Sequence, residues 1–239
     1  DMAKKPKTAV SVKSGSNLVS ELDALCGTLG LEQEPTYRPV PSGINVLDYY
    51  NGRFFADHEN PGQYLLYTGI PRGKMIMVIG HTGAGKTTLS VQAGMNIVCE
   101  YDSGTLYHFD LENAYSEDRV ADITGLDISV VRNKYRRFTQ TPLEVIYTFV
   151  KKIRETKLKM MEDPNSPIWV DDTITGEKIP APTVVIIDTV AALQSNDVMN
   201  ETEMGSLMFE SGSQAKANNA FAQRLSGMIG KANITVIAV

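Results

Sequence analysis

The sequence predicts an α/β domain, a mostly parallel sheet with helices on both faces, preceded by a short helical segment. Three observations carry this. From Lys74 onward, strand-length apolar runs alternate with helix-length amphipathic ones. The run "TVVIID" is β-branched throughout, the pattern of a strand buried on both faces. One glycine-rich junction, Gly80 to Thr88, is framed by an apolar strand run before it and a helix-length run after it.

Taken in order, residues 1–16 are rich in Lys and Ser and read as a flexible basic tail, with Asp1 ahead of Met2 as a remnant of cloning. In residues 17–35, Leu18, Leu22, Leu25 and Leu29 recur at spacings of three and four, which predicts an amphipathic helix capped by Ser16 or Asn17. Pro35, Pro39 and Pro41 end it and open the core, residues 36–239. Gly69, Pro71 and Gly73 turn the chain into "MIMVIG", read as a buried strand, and "KTTLSVQAGMNIVCE" follows as a helix with Leu89, Ala93 and Ile97 on one face.

Next come strand "TLYHFD", helix "YSEDRVADITG", weak strand "YRRFT" and a long helix with Pro142 at its first turn. "TVVIID" and "ITVIAV" are the remaining strands. Residues 162–182 interrupt the alternation. Their Pro and Asp content, with "TG" between short apolar pieces, predicts a β-hairpin excursion on the surface.

Composition narrows the function. A formal net charge of −5 argues against coating a polyanion through bulk charge, so any nucleic-acid contact is local. No apolar run is long enough for a membrane span, and the start lacks a signal-peptide pattern. Cys26 and Cys99 have no paired spacing and fit a reducing cytoplasm.

Gly80, Gly83, Gly85, Lys86 and Thr87 fill the pattern GxxxxGK[ST], and His81, Thr82, Ala84 and Thr88 complete the stretch. The glycines let backbone N–H groups curl around phosphates, and the next helix adds its positive end. Lys86 is the cation for the outer phosphates of ATP, and Thr87 offers a hydroxyl to Mg²⁺. Asp188, ending "TVVIID", lies at the carboxyl edge of the sheet and is the candidate for the metal shell. Glu112, just past the strand ending at Asp110, is the candidate for orienting a water; a solvated or capping acid is the competing reading. His81 and His108 read as incidental, one filling a loop and the other part of a strand.

"GIPRGKMIMVIGHTGAGKTTLSVQAG", "LYHFDLENAYSEDRVADITGLD" and "VVIIDTVAALQS", in this order and spacing, resemble the signatures of RecA-type recombinases. "AKANNAFAQRLSGMIGKANITVIAV" resembles the helix and strand after their first DNA loop, and the whole is most similar in appearance to the phage recombinases of the UvsX type. The resemblance implies a RecA-like ATPase core using ATP and Mg²⁺, with Glu112 as the base and Lys86 and Thr87 on phosphate and metal. It implies filaments on single-stranded DNA, homologous pairing and strand exchange, and mediator proteins as further partners.

The N-terminal leucines would then pack on a neighbouring copy. The first DNA loop would fall within residues 196–214, with Met204, Gly205, Phe209 and Gly212 as contacts. That segment holds Asp197, Glu201, Glu203 and Glu210 and no Lys or Arg, so contact would run through backbone N–H groups, methionines and Phe209. Arg119 stands where RecA has an aromatic that helps hold the base. The family continues past the position of Val239, so the resemblance implies a core cut short at its C-terminus. A RecA-fold ring motor, helicase-like or KaiC-like, and a nucleotide-gated assembly module are the alternatives.

Overall fold

The computed structural model describes residues 20, 24–26, 28, 35–56, 60, 62–193 and 211–239. The chain divides into two compact units at Pro35. In the first, residues 20, 24–26 and 28 are helical and Leu25 is exposed. The basic tail, Leu18, Leu22 and Leu29 lie outside the described residues.

The second unit is built on a five-stranded sheet. Its strands are β3 (Met75–Met77), β4 (Thr105–Asp110), β5 (Tyr135–Phe138), β8 (Thr183–Asp188) and β9 (Ile234–Ala238). They run in the order β3-β9-β8-β4-β5, and every pair is parallel. Side-chain alternation sends successive residues to opposite faces. Leu106, Val184 and Ile186 therefore meet α2 (Lys86–Cys99), α3 (Glu117–Thr124) and α4 (Ile128–Lys134) through Val91, Val120 and Val131. Phe109, Val185 and Ile187 meet α5 (Leu143–Met161) and α6 (Ser211–Ile229) through Ile146, Val150, Phe221 and Leu225. This is the predicted sheet with helices on both faces. At Gly94 of α2, a Cβ would stand 2.6 Å from Leu106 Cδ1 and 3.2 Å from Val184 Cγ1, so glycine lets the helix lie close on the sheet.

Several elements differ from the sequence reading. "MIMVIG" is an edge strand rather than a buried one, with Met77 61% and Ile79 86% exposed. Helix α1 (Asn45–Tyr50) and the antiparallel hairpin of β1 (Arg53–Ala56) and β2 (Tyr64–Tyr67) precede it unforeseen. Helix α4 was also unread. It is only two turns long, but Gly125 ends the helix before it in the left-handed region (φ 68°), and Asp127 caps it through Ser129 N at 2.8 Å.

The hairpin predicted in residues 162–182 is present as β6 (Trp169–Asp171) paired with β7 (Lys178–Pro180). It is more than a surface decoration, because the residue after β6, Asp172, is buried against two arginines. Arg38 Nε donates to its Oδ1 at 3.0 Å and Arg72 to its Oδ2 at 2.6 Å. The Tyr101 hydroxyl donates to Oδ2 at 2.8 Å. A further arm of Arg38 reaches Glu100 Oε2 at 2.6 Å. The cluster joins the Pro-rich segment, the turn before β3, the end of α2 and the hairpin.

Burial pushes the Asp172 carboxyl up, but bonds from the Thr175 amide, Arg72 and Tyr101, with the Arg38 charge, hold it well below the usual range. Removing this carboxylate leaves two buried guanidiniums without it. Asp172→Ala is therefore expected to lose ~3–5 kcal/mol in urea unfolding. A carboxylate with a depressed folded pKa stabilises above its unfolded value. The wild type should hold this contribution above about pH 4 and lose it as acid approaches the folded value, while the variant shows a shallower acid limb.

Candidate functional site

The site lies at the carboxyl edge of the sheet, where β3, β4 and β8 hand over to loops. Gly83 and Gly85 both sit in the left-handed region, at φ 78° and 80°, a backbone that side-chain-bearing residues rarely adopt. Gly85 is the N-cap of α2, so the first helical amides and the positive helix end face the loop. Lys86 Nζ folds back to donate to His81 O at 3.1 Å, and Gly80 packs behind its stem. The imidazole of His81 is exposed and only its carbonyl takes part.

Strands β4 and β8 end in register, Asp110 opposite Asp188. Both carboxylates are nearly inaccessible, but their partners differ. Asp110 is consumed by structure. Its Oδ1 accepts from Ala114 N at 3.1 Å, and its Oδ2 accepts from Tyr115 N at 2.9 Å and from Arg137 at 3.1 Å. Arg137 also donates to Asn113 Oδ1 at 3.2 Å and to Tyr115 O. These bonds fold residues 111–115 into a tight turn, with Asn113 at φ 53° and Glu112 exposed at its tip.

Asp188 faces the loop of glycines. Burial would raise its carboxyl, yet the His108 and Thr87 side chains, with the charge of Lys86, hold it below the ordinary value. It is therefore anionic at neutral pH and meets the Thr87 hydroxyl. Thr88 Oγ1 lies 3.0 Å from Tyr115 OH, which ties α2 to the Glu112 turn. The Arg119 guanidinium sits 5.0 Å above the Tyr115 ring.

These elements enclose a cavity of about 330 Å³, in the size range of small-molecule sites. Thr82, Gly83, Gly85, Lys86, Thr87, Thr88, Glu112, Arg119 and Asp188 line it, with Tyr115 and Thr189, which sequence reasoning missed. Gly80, His81 and Ala84 shape the loop without lining the cavity. A larger groove of about 440 Å³ runs along the β3 edge, but it has no charged side chain and is no place for phosphate. Met204, Gly205 and Phe209 lie outside the described residues, and Gly212 falls in the first turn of α6.

The donor set fits Mg²⁺. Among the described residues no group of three or more His, Cys, Asp or Glu forms a metal cage. Mg²⁺ is ordinarily held by one or two carboxylates together with substrate phosphates, and the Thr87–Asp188 pair beside the glycine loop matches that need.

Residues 52–239 match the family model AAA_25, described as an AAA domain. The chain belongs to the AAA domain family. No curated protein matches it. This AAA family of P-loop ATPases is found in RecA-like and helicase-like proteins, and its domains generally use ATP and Mg²⁺. Among the described residues no helix is long and apolar enough to cross a membrane.

The turn built on Asp110 generates a test. Asp110→Ala should release residues 111–115 while the glycine loop stays intact. Hydrolysis of ATP by the AAA domain is expected to fall ~10–100-fold, since about 1 Å of misplacement costs that much. ATP affinity should stay within about threefold, with turnover and equilibrium binding measured on the same preparation.

Proposed function

We propose that this chain is the ATP-hydrolysing core of a DNA recombinase that assembles on single-stranded DNA and promotes strand exchange. The observation that carries the hydrolytic part is the single cavity holding the glycine loop, Lys86, Thr87, Asp188 and Glu112. The recombinase part is supported by the consecutive motifs around Gly80–Thr88, Asp110–Glu112 and Asp188.

Each residue has a task in this reading. Loop amides and Lys86 bind the phosphates of ATP and take up the charge that develops on them. Thr87 and Asp188 hold Mg²⁺, which when bound neutralises charge on the outer phosphates. Glu112 orients the attacking water and accepts its proton. Arg119, its guanidinium 5.0 Å over the Tyr115 ring, offers a cation to stack on the base where RecA has an aromatic.

Assembly into filaments is supported by exposed apolar side chains on α1 (Tyr49, Tyr50), on the β1–β2 hairpin (Phe54, Tyr64) and just after β3 (Ile79). The stripe of leucines in residues 18–29 is the proposed partner surface on a neighbouring copy. Arg224 and Lys231, both exposed, lie on and just after the helix that follows the proposed DNA loop.

Two variants separate the roles. Lys86→Ala is expected to abolish tight ATP binding, and Glu112→Gln to keep binding while slowing hydrolysis by about 10²–10⁴-fold. Normal turnover in Glu112→Gln would assign the base elsewhere. Turnover measured with and without single-stranded DNA, at stated salt, tests the recombinase reading together with electron microscopy. Stimulation by DNA and helical filaments support it, whereas closed rings favour a RecA-fold ring motor.

A further inference from the structure

A histidine buried beneath the site has one ring nitrogen unaccounted for. His108 is wholly inaccessible, and its Nδ1 lies 2.7 Å from Tyr135 OH. Its Nε2 has no hydrogen-bond partner and stands 3.9 Å from Asp188 Oδ2. The register explains the approach. His108 pairs with Ile186, so Asp188 is its diagonal neighbour on the same face of the sheet, within reach of a long side chain. The ring is held edge-on between Tyr115 and Tyr135, at 5.7 and 5.9 Å between centroids.

We propose that His108 is a positioning residue for Asp188: it presents an Nε2–H to the carboxylate from beneath, in a tautomer fixed by the Tyr135 hydroxyl. The proposal rests on the reading of Asp188 as the acid of the metal shell. Two arrangements of protons are open to a neutral ring. With Tyr135 O–H donating to Nδ1, the ring proton sits on Nε2 and points toward an anion. With Nδ1–H donating to Tyr135, a lone pair on Nε2 faces that anion instead, which is electrostatically unfavourable in a buried site.

Asp188 then has the Thr87 hydroxyl on the side of the cavity and the His108 Nε2–H facing it from 3.9 Å beneath, which narrows the orientations open to its carboxylate. A side chain present only to fill space would be satisfied by Leu or Phe, because a buried N–H without a partner costs stability. Residues that orient a metal-binding carboxylate commonly alter metal affinity about 10–100-fold when replaced.

The test uses the full chain. Ring-nitrogen NMR on the metal-free protein resolves its three histidines, with His108→Gln assigning the signal. The expected result is the Nε2–H tautomer for His108, passing to a mixture in Tyr135→Phe. Next, binding of a fluorescent ATP analogue is titrated with Mg²⁺. His108→Leu should raise the half-saturating Mg²⁺ about tenfold, leaving analogue affinity in EDTA within about twofold. His108→Gln, whose amide nitrogen overlays Nε2, should stay within about threefold of wild type.

An Nδ1–H tautomer, or a folded His108→Leu variant with the wild-type Mg²⁺ dependence, overturns the proposal. If His108→Leu fails to fold, the NMR of Tyr135→Phe and the Mg²⁺ titration of His108→Gln decide. Absence of Mg²⁺-dependent analogue binding in the wild type instead overturns the reading of the nucleotide site, and the proposal with it.

Discussion

Two carboxylates end neighbouring parallel strands in register, and the organisation of the site follows from giving each its own set of donors. Like charges at the ends of adjacent strands repel unless each has its own donors. Asp110 has two backbone amides and Arg137, so its charge is spent on folding the 111–115 turn. Asp188 has Thr87, Lys86 and His108 around it and stays turned toward the glycine loop. The same strand spacing thus yields one acid that shapes a loop and one that faces the cavity, and Glu112 is carried by the first to stand opposite the second.

This arrangement draws on the rest of the domain. β4 and β8 are adjacent inner strands whose faces are covered by α2 on one side and by α5 and α6 on the other, so their ends cannot shift independently. The close seat of α2 at Gly94 brings its N-terminus, with Lys86 and Thr87, over the end of β8. Farther away, the buried Arg38–Asp172–Arg72 cluster binds the chain entering the domain to the hairpin of residues 162–182. Exchanging such a cluster for apolar groups is often neutral, whereas breaking it is costly. Its evident task is therefore to fix one arrangement of four segments.

Much of this was legible in the sequence. Strands β8 and β9 declared themselves as mainly β-branched runs, and the glycine spacing located the phosphate loop because few other structures need it. Asp188 was readable from its place at the end of a strand, and Glu112 from its place two residues past one. What the sequence hid depended on pairing across the sheet. Arg137 lies on β5 and bonds to Asp110 at the end of β4, 27 positions earlier, and nothing local in "YRRF" marks it. His108 looked incidental because its neighbour across the sheet, Asp188, is remote in the chain, though strand alternation places it on the same face as Asp110. "MIMVIG" was misread as buried because its apolar run cannot reveal that β3 stands at the edge. Asp172 looked like a surface residue in a polar hairpin until Arg38 and Arg72 were brought to it by the fold.

The most direct test of the central claim, that one carboxyl edge gathers the hydrolytic machinery, is a crystal structure of the chain with Mg²⁺ and a non-hydrolysable ATP analogue. The account predicts phosphates cradled by residues 80–88, the Thr87 hydroxyl on the metal, and Asp188 in its shell. Glu112 should stand one water away from the terminal phosphate, with Asp110 still bonded to the 111–115 turn. A nucleotide bound with Asp188 turned from the metal, or with Glu112 facing away from the terminal phosphate, would contradict it.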